Sequence, residues 1–228
     1  MDELVEYETK VIGNFLSKER FAYALPLTFI VLVGILILSN IYWHPEMYLS
    51  EYLKATPTLV FENGEYWRLF TSSLIHGDLS HFLSNSLMLS LMGYFVTAYY
   101  SWYIYPFLSV LMGGLINYSV LLSFNRDIAI VGASGIVYYL WGFWLILYLF
   151  IQRHIPLSRR FMKIAAIFLA LLVPTSFAAN ISYLAHGIGF ILGLLTGLLY
   201  FIVNRKFIFS LEKKIEVANF IPDIDYKI

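Results

Sequence analysis

The sequence contains no cysteine and few charged residues. Asp, Glu, Lys and Arg make up 13% of its 228 residues, whereas a soluble domain has about 25%. The lack of cysteine excludes disulfides, thiol nucleophiles and thiolate metal sites, and a net charge of zero gives no reason to expect nucleic acid as a partner. Apolar residues make up 60% of the chain, more than a water-soluble fold can bury. The composition therefore predicts a membrane protein.

Long apolar runs recur along the chain, each long enough to cross about 30 Å of hydrocarbon as a helix. Backbone polar groups in lipid must be satisfied within the segment, which favours helices over other structures. The six predicted spans are residues 21–42, 80–99, 104–124, 134–152, 162–179 and 183–203. We expect the first to stay in the mature protein as a signal anchor, because it is too long for a cleaved signal.

Lysine and arginine are distributed unevenly between the two sides of these spans. Twelve lie in the two tails and in the loop after the fourth span, and three lie on the opposite side. The positive-inside rule then predicts a multi-pass protein of the cell membrane with both termini cytoplasmic. We predict cytoplasmic tails at 1–20 and 204–228 around a six-helix domain at 21–203. The long aromatic external loop, 43–79, is predicted to be partly helical.

Polar side chains cluster where the second span begins. His81 and Asn85 are four residues apart and share one helix face, so both can donate hydrogen bonds toward one point. His76 lies five residues earlier. Ionisable groups at membrane depth are costly and are usually functional. The alternative is a histidine that only hydrogen-bonds a neighbouring helix.

A serine between glycines opens the fourth span, in the segment Gly132-Ala133-Ser134-Gly135. The N–H groups of a first helical turn have no intrahelical acceptors, and the helix dipole is positive there. Such a position can stabilise an oxyanion beside the serine. Taken alone, however, small residues in a membrane helix are more typical of close helix packing.

The sixth span opens with a histidine followed by a glycine stripe. His186, Gly189 and Gly193 are spaced three and four residues apart, so they lie on one face and allow another helix to approach closely. Tyr138, one turn after Ser134, can then stack on the His186 ring. All three clusters open even-numbered spans, which start on the same side. Their polar residues are therefore expected at similar depth, below the outer surface.

In this order and on these spans, the motifs resemble those of the rhomboid family of intramembrane serine proteases, over roughly 20–205. The residues that carry the resemblance are Trp67-Arg68, His76, His81 and Asn85, Gly132 to Gly135 with Ser134, and the run from Ala185-His186 to Gly189 and Gly193. The resemblance implies an all-α, six-helix rhomboid-like membrane bundle.

The resemblance also implies roles for individual residues. Ser134 is the nucleophile and His186 the general base. The other implied roles are oxyanion stabilisation by His81, Asn85 and nearby His76, stacking by Tyr138, support by Gly132, Gly135, Gly189 and Gly193, and stabilisation of the first loop by Trp67 and Arg68. Substrates are then transmembrane segments of other proteins in the lipid bilayer, and no metal or cofactor is expected.

The residues themselves favour a two-residue catalytic unit. No Asp or Glu lies in the sixth span or beside it to orient His186, so we expect a dyad without a third acidic member. Water must reach Ser134, which predicts a polar cavity open to the outer side and bordered by residues 125–133. Two alternatives remain: a non-catalytic rhomboid-like protein that binds membrane clients, and a small transporter or proton channel.

Overall fold

The computed structural model describes residues 5–123, 128–167, 169 and 182–220, and these are mainly helical. The α-helices are α1 (Ala24–Trp43), α2 (Arg68–Thr71), α3 (Leu79–Tyr100), α4 (Ser109–Leu121), α5 (Ser134–Ile151), α6 (Leu157–Ile167) and α7 (Tyr183–Ser210). Short 3₁₀ or π-helical turns occupy Phe15–Ser17, Tyr48–Tyr52, Thr58–Glu62, Ser72–Leu74 and Tyr103–Leu108.

Four helical segments of the described chain are long and apolar enough to cross a membrane. They are α1, Tyr103–Leu121 (the last short turn together with α4), α5 and α7. They match the first, third, fourth and sixth predicted spans, although α7 continues beyond the predicted end at 203, to Ser210. The prediction of a helical, multi-pass membrane protein therefore holds at this coarser level.

The second and fifth predicted spans are not among these four segments. Helix α3 has 22 residues, enough to cross a membrane, but His81, Asn85 and its serines keep it outside the four strongly apolar segments. The fifth span, 162–179, begins within α6, and residues 168 and 170–179 lie outside the described residues. The count of six spanning helices therefore stays a prediction.

Helix α5 is the central helix and packs tightly on α7. About 61% of the α5 span is buried in the protein, against 22% for α1. Glycines form the contact: a Cβ on Gly189 would meet the carbonyl of Gly135, and a Cβ on Gly193 would meet the carbonyl of Tyr139. Because only glycine leaves room for this backbone approach, the small-residue stripe brings the beginnings of α5 and α7 together.

The first loop is folded around a buried arginine. The Arg68 side chain is 4% exposed, forms an ion pair with Glu65, and donates to the carbonyl oxygens of Glu51 and Lys54. A planar guanidinium can satisfy several acceptors at fixed angles, which a lysine cannot. Arg68 therefore holds together parts of the loop that are distant in sequence, and this folded loop supports the residues before Ser134.

The two tails pair with each other. Strand β1 (Val5–Gly13) runs antiparallel to β2 (Lys213–Phe220), with Thr9 opposite Glu216 and Lys10 opposite Ile215. The expectation of an all-α fold was therefore wrong at the termini. Both segments alternate β-branched or aromatic residues with charged ones, which favours strands. A pairing between opposite ends of the chain has no local signal, so the sequence does not reveal it.

Candidate active site

A cavity of about 820 Å³ lies where α3, α5 and α7 begin. Its lining contains both proposed reacting side chains, Ser134 and His186, together with His81 and Asn85. Other lining residues include Gly77, Asp78, Ser84, Asn117, Ile130, Gly132, Tyr138 and Ser182. The fold therefore brings residues from all three polar clusters of the sequence to the lining of one cavity.

The segment before Ser134 depends on a glycine. Gly132 has a φ of +126°, in the region that residues with a side chain rarely adopt. A Cβ at this position would also lie 2.9 Å from Cε1 of His81. Glycine thus allows the chain to turn next to the His81 ring. After that turn Ser134 becomes the first residue of α5, where the N–H groups of the opening turn lack intrahelical acceptors.

Hydrogen bonds to the first loop fix this segment. Its N–H groups donate from Ile130 to the Ala55 carbonyl at 2.8 Å, from Gly132 to the Ser72 carbonyl at 2.9 Å, and from Ala133 to Nε2 of His76 at 3.4 Å. Three backbone N–H groups of this segment are satisfied in this way. The folded first loop therefore positions the residues that lead into α5.

His186 lies in the first turn of α7 and is 7% exposed. The Ser182 hydroxyl caps this helix by accepting from the Ala185 N–H at 3.3 Å. The rings of Tyr138 and His186 stack with centroids 4.1 Å apart and an angle of 11° between planes. Ser134 and His186 line the same cavity, but none of the hydrogen bonds found among the described residues joins their side chains.

His81 and Asn85 face the cavity from α3. Asp78 caps this helix by accepting from the His81 N–H at 2.8 Å. Asn85 is 8% exposed, and its Nδ2 donates to the His81 carbonyl at 3.0 Å. An amide nitrogen has two hydrogens, so one N–H of Asn85 is left for a group in the cavity. Among the described residues that line the cavity, only Asp78 carries a carboxylate. This carboxylate accepts from the His81 N–H at the beginning of α3 and makes no hydrogen bond to His186.

His76 lies behind the cavity, not in its lining. It is 1% exposed; its own backbone N–H donates to Ser39 at 3.1 Å, and its carbonyl accepts from Trp43 Nε1 at 2.8 Å. Burial lowers the pKa of the His76 imidazole to about 3, so the ring is neutral at pH 7. Since Nε2 accepts from Ala133, the proton is on Nδ1, which faces the Ser39 hydroxyl at 3.4 Å.

Asn117 is a further polar residue of the cavity, and it was not among the residues predicted from the sequence motifs. Its Nδ2 donates to the Leu69 carbonyl at 2.9 Å and to the Ser72 hydroxyl at 3.0 Å. It therefore connects α4 with the first loop, whose Ser72 carbonyl accepts from the Gly132 N–H. A signal was available, because an asparagine within a long apolar run is costly in a membrane. Of the predicted border of the cavity, residues 125–127 lie outside the described residues.

The cavity contains the groups needed for acyl transfer. A serine hydroxyl can attack, an imidazole can move its proton, and side-chain or backbone N–H groups can bind a negative oxygen. Among the described residues, no group of three or more His, Asp or Glu side chains forms a set suited to a metal ion. A second, wholly apolar groove of about 440 Å³ beside α1 has no such groups.

Comparisons with known proteins show the family of this chain. The family model described as "Rhomboid domain" matches residues 63–203 of the chain. A protein of Bacillus subtilis (strain 168) named "Putative rhomboid protease YdcA" is 31% identical over 150 residues, which cover 60% of this chain and 68% of the relative. The matched range includes all the cavity residues described above, while both strands of the terminal sheet lie outside it.

Proposed function

This chain belongs to the rhomboid family and is a multi-pass membrane protein, and we propose that it is an intramembrane serine endopeptidase. In this proposal it hydrolyses peptide bonds in or near transmembrane segments of other membrane proteins. The observation that carries the proposal is the shared cavity, to which α5 contributes Ser134 and α7 contributes His186. Ser134 and His186 each lie at the beginning of their helix. The glycine contact between α5 and α7 brings these two helix beginnings side by side.

The proposed reaction passes through an acyl-enzyme. His186 accepts the hydroxyl proton as Oγ of Ser134 attacks the peptide carbonyl, and it then gives a proton to the leaving amine. A water molecule then attacks the acyl-enzyme in the same way, giving its proton to His186, and Ser134 is released from the carboxyl product as it regains a proton. Tyr138 keeps the imidazole in place by stacking. The absence of a direct hydrogen bond between the two side chains is compatible with this role, because such bonds often tighten only when substrate binds.

The oxyanion is proposed to bind between α3 and α5. His81 and the second N–H of Asn85 approach from α3, and the backbone N–H of Ser134 approaches from α5. His76, as an acceptor for Ala133, is better placed to position this backbone than to bind the oxyanion itself. Gly132 leaves space for the His81 ring. Trp67 and Arg68 act at a distance in this proposal, by stabilising the first loop.

The terminal sheet supports the proposed topology. The hydrogen bonds between β1 and β2 support a topology with both ends of the described chain on one side of the membrane, and an even number of spans agrees with that topology. The excess of lysine and arginine makes that side the cytoplasm. We therefore retain the six-helix domain at 21–203 with cytoplasmic tails. The beginnings of α3, α5 and α7, and with them the cavity, are then nearer the outer side.

Covalent labelling tests the proposed dyad directly. A fluorophosphonate probe should label Ser134 in the wild-type protein, and His186→Ala should remove the labelling because no base is left to activate the hydroxyl. His154→Ala changes an exposed histidine outside the cavity and should label normally. Labelling elsewhere, or equal labelling of His186→Ala, would contradict the dyad. A wild-type protein that folds but reacts with no probe would favour the non-catalytic, client-binding alternative.

Asn85→Ala should slow cleavage of a membrane-embedded reporter without abolishing it. Loss of one oxyanion donor typically lowers kcat by about 10²–10³, and the donors on His81 and Ser134 remain. Asn204→Ala is a matched control, because its Nδ2 also donates to a carbonyl four residues earlier, that of Tyr200, at 2.9 Å, but outside the cavity. The measurement is kcat with saturating substrate. An unchanged rate for Asn85→Ala would remove this residue from the oxyanion site.

A further inference from the structure

The terminal sheet has two open edges. In the part of the chain that the structure describes, β1 and β2 are each other's only strand neighbours. Edge strands offer backbone N–H and C=O groups to an additional strand, and two-stranded sheets are marginally stable in water until more strands join. Tyr7 of β1 is 67% exposed. The sheet lies outside the residues that match the family model.

We infer that β1 pairs antiparallel with β1 of a second copy of this chain, around a two-fold axis at Thr9. In this register Glu8 faces Lys10 of the second copy, Tyr7 faces Val11, and Thr9 faces Thr9. Every pair occurs twice except the central one. Opposite charges and aromatic to β-branched pairs are the cross-strand combinations that stabilise sheets. In the present structure Glu8 and Lys10 already lie 3.3 Å apart on one face.

Other registers of β1 are less favourable. Moving the pairing by two residues in one direction places Glu8 opposite Glu8, and in the other direction it places Lys10 opposite Lys10. Like charges directly opposite each other destabilise a sheet. Moving it by one residue would place residues opposite each other whose side chains lie on different faces of the two symmetric strands, so no two-fold pairing exists in that register. Thr9 is also the middle residue of β1, so the favoured register uses the strand on both sides of the axis.

The β1 edge fits a second copy better than the β2 edge does. A symmetric pairing of β2 with opposite charges must be centred on Ile215, near the beginning of the strand, and therefore uses only part of it. It also lies next to the end of α7, where Arg153 and Lys214 both pair with the buried Glu212 carboxylate. Because a pairing centred on Thr9 uses all of β1 and one centred on Ile215 uses only part of β2, β1 is the better edge.

The membrane assists this pairing. An antiparallel pair of identical strands has its two-fold axis perpendicular to the sheet, and such symmetric contacts are the commonest in homodimers. Two copies with the same orientation in one membrane can be related only by a two-fold axis perpendicular to the membrane. The sheet must therefore lie parallel to the membrane surface. The product is one continuous sheet of four strands, in the order β2, β1, β1, β2. Confinement of both copies to the membrane raises their effective concentration, so a short interface suffices.

Cysteine cross-linking in membranes tests the interface, and the natural chain has no cysteine to cause background. Thr9→Cys places two thiols opposite each other, within the Cα separation that a disulfide tolerates, so mild oxidation should give a strong dimer band on a non-reducing gel. Ile215→Cys is the matched control on β2. In the proposed dimer the two β2 strands are separated by three strand spacings, about 14 Å, so its dimer band should be several-fold weaker.

Charge exchange provides a second, independent measurement. With Thr9→Cys present, Glu8→Lys should lower the cross-linked fraction several-fold because two positive charges then face each other across the axis, whereas Glu8→Lys combined with Lys10→Glu should restore it. All variants can also carry Ser134→Ala, since this interface does not depend on the proposed activity. Equal cross-linking at positions 9 and 215, stronger cross-linking at 215, attachment of Thr9→Cys to a different protein, or indifference to Glu8→Lys would overturn the inference.

Discussion

Ser134→Ala is expected to lower the rate of cleavage of a membrane-embedded reporter by about 10⁴-fold or more, because removing a serine nucleophile leaves only the contribution of binding and oxyanion stabilisation. The substitution deletes one oxygen at the first residue of α5, and the described hydrogen bonds that hold the preceding segment all come from backbone N–H groups. We therefore expect the protein to remain folded. The measurements are the cleavage rate and the thermal unfolding temperature.

Ser119→Ala serves as the control for this experiment. Ser119 is on α4, and its hydroxyl donates to the Leu115 carbonyl of the same helix at 2.9 Å, outside the cavity lining. This variant should cleave the reporter at the wild-type rate. Cleavage by Ser134→Ala at a rate near that of Ser119→Ala would mean that another group is the nucleophile, and the proposed mechanism would then be wrong.

Gly193→Val is expected to destabilise the protein and to remove most of its activity. A Cβ at Gly193 meets the carbonyl oxygen of Tyr139 and lies 2.8 Å from the nitrogen of Phe143, so backbone and not a flexible side chain must move. Overpacking typically costs about 1–3 kcal/mol of the free energy of unfolding. Separation of α5 from α7 also moves His186 away from Ser134, and a displacement of ~1 Å can lower kcat about 10²-fold.

Gly187→Val is the matched control on the same helix. A Cβ at Gly187 meets nothing within 4 Å, so this variant carries the same change in helix propensity without the contact with α5. The free energy of unfolding should be lower for Gly193→Val than for Gly187→Val, as measured by thermal or denaturant unfolding in detergent. Equal stability of the two variants would show that the glycine stripe is not needed for close packing.

Local sequence signals were sufficient for much of this protein. The apolar runs identified the helices α1, α5 and α7 to within a few residues at most boundaries, because a membrane requires long apolar segments with internally bonded backbones. Ser134 and His186 could be singled out because a small polar motif and a titratable ring are unusual within such segments. The polar residues of α3 were recognised by the same argument.

Other features depend on contacts between distant segments. Asn117 is recognisable as a polar residue in an apolar run, but its partners Leu69 and Ser72 became known only where α4 meets the first loop. His76 looked like a cavity residue by its spacing from His81, but the fold places it behind the cavity, against Ala133. The terminal sheet pairs strands from the two ends of the described chain. No local sequence pattern predicts which strand will pair with which.

The amino-acid sequence alone determined that this chain lies in a membrane, which segments are helical and which side chains can carry chemistry, since these follow from hydropathy and residue type. Only the tertiary structure decided that the hydroxyl of α5 and the imidazole of α7 border the same cavity, that the first loop fixes the turn at Gly132, and that the tails form a sheet. The physical reason is that close approach depends on packing in three dimensions: glycines specify where helices can touch, but the whole set of contacts decides which ones do.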